Sequence, residues 1–186
     1  SKKEADLLNN TIPIDYIMDY ISDRIPQKRH GNSKIAIKSP GDKVLVLKSG
    51  TGSGKSTTIA PELYLRFFER NYKNIAITQP RVLTAIDIPR TIVDIPAYSK
   101  LKIAKNIGFK TGDFSRLPSE KGVIFMTIGV LMNQLIVMKP EHFMKKYSFI
   151  IIDEVHDRDV NIDTSLFLLK RFLLDNYKDP ECPMII

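Results

Sequence analysis

The stretch Val44-Leu45-Val46-Leu47-Lys48-Ser49-Gly50-Thr51-Gly52-Ser53-Gly54-Lys55-Ser56-Thr57 decides how the rest of the chain is read. Four apolar residues in succession lead into a loop of Gly, Ser and Thr, and a helical pattern follows at once. That order suits a buried parallel strand, because a strand covered on both faces loses the apolar–polar alternation of a half-exposed one. The loop has the composition needed to approach a chain of phosphates. Gly52 and Gly54 permit close backbone approach, several N–H groups can point inward, Lys55 brings a cation, and Ser56 brings a hydroxyl able to hold Mg²⁺. A helix starting near Lys55 adds the positive end of its dipole. The plainer reading, a flexible Gly/Ser loop, sits poorly with Lys55-Ser56 placed between strand and helix. Ser49 stands where the strict pattern has Gly, so the match is to the looser form with a small first residue.

Downstream, Ile75-Ala76-Ile77-Thr78, Val123-Ile124-Phe125-Met126-Thr127 and Phe149-Ile150-Ile151-Ile152 are further apolar runs, separated by segments long enough for crossover helices. The expectation is an α/β fold with a central parallel β-sheet flanked by helices. An apolar-rich helix is expected from Thr164 to Asn176, and Met184-Ile185-Ile186 reads as another strand cut off as it begins, so the chain reads as truncated. Upstream, Ile14, Ile17, Met18, Ile21 and Ile25 share one helical face before Pro26 stops the run, which predicts a docking helix within an N-terminal helical extension over 1–30, followed by one domain over 31–186. Pro61, late in the helix after the Gly-rich loop, is expected to kink it. Phe67, Phe68 and Met126 read as core, and Cys182 as an inert thiol.

A second chemical signal is Ile150-Ile151-Ile152-Asp153-Glu154-Val155-His156. A carboxylate at the tip of a buried strand beside a phosphate-binding loop can hold the metal's hydration shell, and the next one can orient or deprotonate an attacking water. Asp153 and Glu154 fit those roles; the alternative is a surface acidic turn. His156 stays open between a structural donor and a catalytic or coupling residue, and without partners it is not a metal ligand.

Composition narrows the classes. The chain has 186 residues, 43% of them apolar, which is enough for one substantial core and excludes wholesale disorder. Its single cysteine excludes a disulfide framework and any multi-Cys zinc site, and favours a reducing, intracellular and rather cytoplasmic setting. The uncharged stretch Gly122–Met138 is near the lower length limit for a membrane span and is interrupted by Gly129, Asn133 and Gln134, and no signal peptide opens the chain. With 28 Lys+Arg against 21 Asp+Glu the net charge is +7, compatible with a polyanionic partner. Lys100, Lys102, Lys105 and Lys110 form either a nucleic-acid rail or a solvated face. Scattered Tyr and Phe offer no stacking platform.

In order along the chain these motifs resemble the superfamily 2 DExH-box helicases, the group containing the DEAH RNA helicases, the poxvirus RNA helicase and flavivirus-type helicases. Thr78-Gln79-Pro80-Arg81 is similar to motif Ia, Thr127-x-Gly129-x-Leu131 to motif Ib, Asp153-Glu154-Val155-His156-Asp157-Arg158 to motif II, and Asn161-x-Asp163 to the helix that follows it. The DEVH spelling matches the poxvirus enzyme. Ile128 departs from the Asp usual in DEAH proteins at motif Ib. The resemblance implies a RecA-like P-loop NTPase fold and the first of two RecA-like domains, with motif III and the domain carrying the arginine finger lying after Ile186. It implies a nucleotide site at Thr51, Gly52, Ser53, Gly54, Lys55, Ser56 and Thr57, and Mg²⁺ at Ser56 and Asp153. Catalytic roles fall to Glu154, Lys55 and His156, and contacts to single-stranded RNA, or DNA, to Arg81, Thr127 and Gly129. ATP or another NTP is the expected cofactor, with loose base choice since no adenine-reading Gln motif precedes the loop. On this reading the parent is an NTP-dependent RNA helicase, and these 186 residues alone hydrolyse NTP barely. Ile, Lys and Asn richness is compatible with a viral, AT-rich source. The competing readings are another P-loop ATPase or small-molecule kinase, which has no use for Thr78-Gln79-Pro80-Arg81, and a non-enzymatic RNA-binding scaffold, against which intact Lys55, Asp153 and Glu154 speak.

Overall fold

A computed structural model describes residues 12–48, 54–68, 70, 73–155 and 160–186. Helix α1 (Ile14–Arg24) is followed by a 3-10 turn (Pro40–Lys43), α2 (Lys55–Phe67), β1 (Asn74–Gln79) and α3 (Val82–Val93). Next come β2 (Ile107–Lys110), β3 (Ser115–Arg116), β4 (Val123–Thr127), α4 (Ile128–Val137) and α5 (Pro140–Lys146). The last elements are β5 (Tyr147–Ile152), α6 (Val160–Asn176) and β6 (Met184–Ile185).

The strands form one sheet in the order β3-β2-β4-β1-β5-β6, parallel throughout except for the antiparallel β2–β3 pair. Alternation along each strand explains why both faces are apolar. Ile75, Ile77, Phe125 and Ile151 pack on one side with Ile59 and Leu63 of α2 and Ile92 of α3. Ala76, Ile124, Met126 and Ile150 pack on the other with Leu131 of α4, Phe143 of α5 and Leu169 of α6. A sheet sandwiched in this way needs uninterrupted apolar strands, which is the pattern the sequence shows.

The chain goes from β4 over β1 to β5, so β1 sits between the two and the loops at the C-terminal ends of all three open on one crevice. Open α/β sheets bind ligands at such a switch in strand order. One irregularity modifies the ladder between β1 and β5: Asn74 pairs with Tyr147 whereas Ile75 pairs with Phe149, leaving Ser148 as an extra, bulged residue.

Two expectations need correction. The run Val44–Leu47 is not a buried strand. It makes one parallel bridge, Val44 to Ile185, with the Leu45 N–H donating to the Ile185 carbonyl at 2.9 Å, and Val46 is 74% exposed. Phe68, expected in the core, is 39% exposed. Helix α2 runs from Lys55 to Phe67 with Pro61 buried inside it. The expected docking helix is present as α1, and its Ile17, Met18 and Ile21 join the same core as α2 and the sheet. Cys182 is buried, and burial pushes its thiol up to about 11. No described helix is long and apolar enough to cross a membrane.

Because Ile21 is wholly inaccessible in that core, Ile21→Ala should lower the unfolding free energy by about 2–5 kcal/mol. Equilibrium unfolding in urea measures this, and a change below about 0.5 kcal/mol would show α1 to be dispensable.

Candidate nucleotide and nucleic-acid site

Four elements meet at the C-terminal rim of the sheet: the start of α2 and the ends of β1, β4 and β5. Gly54 precedes α2 as its N-cap with φ 77, a left-handed conformation that glycine adopts without the cost a side chain imposes. Gly54 brings no side chain to cap this helix, and the Thr57 N–H donates to the Gly54 carbonyl at 3.2 Å; a helix start of this kind favours an anion through its dipole. Lys55, Ser56 and Thr57 occupy that turn half-buried, and the Thr57 hydroxyl donates back to the Gly54 carbonyl at 3.1 Å.

Asp153 lies at the exit of β5 and is 7% exposed. A carboxylate so placed must be met by donors. The Ser56 hydroxyl donates to its Oδ2, and the Gln79 side-chain amide donates to the same oxygen at 2.7 Å. The Glu154 N–H donates to Oδ1 at 3.0 Å. Ser56 and Asp153 are 97 residues apart in sequence, and Gln79 and Asp153 are 74 apart. Three segments thus converge on one carboxyl group, with neutral donors. Glu154 itself has φ 59 and is half-buried. For a residue with a side chain the left-handed region costs about 1–2 kcal/mol, and such strain tends to persist where surrounding structure holds it for a purpose.

On the other side of β1 the rim carries the remaining candidates. Gln79 pairs in register with Thr127, and Arg81 lies two residues further on as the N-cap of α3, exposed. Thr127 is the N-cap of α4, yet its side chain makes no cap hydrogen bond. Gly129 follows in the first turn of α4, and a Cβ there would meet nothing within 4 Å. The structure therefore brings Lys55, Ser56, Asp153 and Glu154 to one part of the rim, and Arg81, Thr127 and Gly129 to the adjoining part. Thr51, Gly52, Ser53 and His156 lie outside the described residues. The lysine series does not form one line: Lys100, Lys102 and Lys105 are exposed before β2, whereas Lys110 is at its far end, half-buried.

Sequence reading quoted Gln79 within a motif but did not select it as a site residue. Its buried amide, 2% exposed, now stands as the third group on Asp153. The signal was present: it is a polar residue closing an apolar strand at the end where ligands bind.

Fold and rim define a P-loop nucleotide-binding domain of the helicase class. The chain belongs to the DEAD/DEAH box helicase family, whose model matches residues 33–176. It is 35% identical over 172 residues to protein B962L of African swine fever virus, which carries an RNA-helicase name, covering 88% of this chain and 17% of that protein. It is 33% identical to an Aedes aegypti protein named as the ATP-dependent RNA helicase spindle-E, covering 80% and 10%, and 35% identical to the human ATP-dependent RNA helicase DHX30, covering 68% and 10%. The chain thus spans about a sixth of the viral relative and a tenth of the others. The crystal structure of the Escherichia coli DEAH/RHA helicase HrpB superposes with a TM-score of 0.61 at 22% identity, over 77% of this chain and 17% of that one, which places the fold among RecA-like helicase domains.

Gln79→Leu keeps the side-chain volume and removes one donor from a buried carboxylate. It should lower stability by about 1–3 kcal/mol. An unchanged midpoint of chemical unfolding would show that Ser56 and the Glu154 N–H suffice.

Proposed function

We propose that this chain is the nucleotide-binding domain of an NTP-dependent RNA helicase, in which hydrolysis at one part of the rim drives movement on a strand held at the other. The observation that carries the reading is the hydrogen bond between the Ser56 hydroxyl and Asp153, because it places a P-loop hydroxyl and a strand-end carboxylate on a common point. Names of relatives given to RNA helicases support the same reading.

The donor set fits Mg²⁺. A hydroxyl and a carboxylate are hard oxygen ligands, and a single protein carboxylate beside substrate phosphates is the usual provision for this ion, which keeps several waters. Ser56 and Asp153 would hold it, and when bound it supplies positive charge to the phosphate oxygens. Lys55 and the N–H groups of the first turn of α2 take the phosphates. Glu154 orients the attacking water and accepts its proton as the new bond to the γ-phosphorus forms and the diphosphate leaves. Gln79 holds Asp153 in place, as a group that acts through its neighbour. Arg81, the unused hydroxyl of Thr127 and the open backbone at Gly129 meet phosphates of a single-stranded RNA. A second RecA-like domain of the whole protein completes the charge stabilisation with an arginine finger, and its absence typically costs about 10³–10⁵ in rate.

In the intact protein, Lys55→Ala and Glu154→Gln should each reduce RNA-stimulated NTP turnover by about 100-fold or more, and abolish unwinding of a 3′-tailed RNA duplex. Glu154→Gln should leave RNA affinity within a few-fold of its starting value. Turnover that survives both changes, or that ignores added RNA, would rule out the motor. Arg81→Ala should weaken RNA binding and reduce the log–log salt slope by about 0.7, the amount expected for one phosphate contact to a single strand. A slope that does not change would remove Arg81 from the interface.

A further inference from the structure

A cavity of about 340 Å³ opens at the opposite rim, beside the N-terminal ends of β1, β5 and β6. Arg29, Lys43, Arg70, Lys73, Lys121 and Lys145 line it. Among the described lining residues the carboxylate is Glu181, already engaged by Lys73 at 2.8 Å and by His30 at 3.5 Å, with Asp179 behind it. A large share of the chain's net +7 is therefore gathered in one concavity.

Two of these cations, Arg70 and Lys43, are held in place by neutral groups that fix them without cancelling their charge, whereas Lys73 is paired with the Glu181 carboxylate. Arg70 donates to the Ser22 hydroxyl at 2.8 Å, the Ser22 carbonyl at 2.9 Å and the Pro26 carbonyl at 3.1 Å. Lys43, 2% exposed, donates to the Cys182 carbonyl at 3.0 Å. Lys73 donates to the Glu181 carbonyl at 3.0 Å. Burial holds the Lys43 ammonium below the ordinary lysine range, with Lys73 adding to the effect and Cys182, Asp179 and Glu181 opposing it. Lys121 and Lys145 are exposed at the mouth.

An independent observation comes from Ser148. It is the bulged residue of β5, 6% exposed, it lines this cavity, and its buried hydroxyl has no hydrogen-bond partner among the described residues. Bulges re-aim side chains, and buried hydroxyls without partners are rare enough to require an explanation.

We propose that this cavity is a phosphate-binding site, in which the fixed and mobile cations supply the charge and Ser148 supplies a hydrogen bond. Six cations in so small a space match the two charges and several acceptor oxygens of phosphate better than the single charge of a carboxylate. Ser148 and Asp153 are five residues apart on one strand, about 17 Å at 3.3 Å per residue, so this site is separate from the nucleotide rim. The phosphate comes from a free oligophosphate or from the backbone of a nucleic-acid strand, and the two are told apart as follows.

Lys55→Ala is introduced first, so that the P-loop does not contribute. Radiolabelled tripolyphosphate is followed by equilibrium dialysis, and a labelled single-stranded RNA by fluorescence anisotropy. If the source is free phosphate, tripolyphosphate binds and its affinity falls at least tenfold in Lys121→Glu/Lys145→Glu and several-fold in Ser148→Ala. If the source is a strand, tripolyphosphate binds negligibly, RNA affinity falls at least tenfold in the double variant, and the salt slope falls by about 1.4, for two lost phosphate contacts. Lys170→Glu/Arg171→Glu on the exposed face of α6 makes the same change in net charge away from the cavity and should leave both affinities within twofold. Lys121→Gln/Lys145→Gln, at two exposed positions, preserves folding and should reproduce the direction of the effect. Binding of both probes unchanged by the cavity variants, or reduced equally by the α6 control, overturns the proposal.

Discussion

The arrangement of this rim depends on one buried carboxylate being met from several sides. Asp153 reaches its position at the end of β5, Ser56 comes from the first turn of α2, and Gln79 from the end of β1. None of these residues is close to another in sequence, and none can be placed without the parallel sheet. Parallel strands all deliver their C-terminal ends to the same edge, and α2 starts at that edge, so the convergence follows from topology. Burial then makes it specific. A carboxylate only 7% exposed and left without donors would be costly, so the hydrogen bonds that hold the site are also ones the fold requires.

The central place of β1 ties the two functional regions together. One of its neighbours, β4, ends at Thr127, in register with Gln79, and the other, β5, ends at the carboxylate that Gln79 holds. A strand of RNA held, as proposed, against Arg81 and Thr127 would therefore lie one backbone away from the Asp153 carboxylate. That closeness is a physical basis for coupling, since displacement of the end of β1 disturbs contacts on both sides at once.

Legibility in the sequence followed the strength of each physical signal. β1, β4 and β5 were readable because burial on both faces leaves unbroken apolar runs, and Asp153 and Glu154 were readable because charge follows such a run abruptly. β2 was not read: Ile107-Gly108-Phe109-Lys110 is four residues long, broken by Gly and flanked by lysines, so nothing in the local pattern distinguishes it from a loop. Val44–Leu47 misled in the opposite direction, since apolar composition does not reveal that a run makes a single bridge rather than a ladder. Gln79 carried no label of its own because its role depends on a partner 74 residues away. Ser148 illustrates the same limit, for a bulge is a property of two paired strands and leaves no mark on either one alone.

That extra residue also sets the phase of β5. Side chains along a strand alternate between faces with period two, so one inserted position inverts the facing of everything that follows relative to the partner. The part of β5 from Phe149 to Ile152, and Asp153 just beyond it, is aligned with β1 only because Ser148 takes up one step before Ile75 meets Phe149. Excising Ser148 would leave the strand two choices: slide its beginning by one place, dragging the junction with α5, or present Ile150, Ile152 and Asp153 to the wrong layers. The orientation of the acidic tip toward Ser56 is thus decided at the strand's distant end, by a serine that takes no part in the chemistry there.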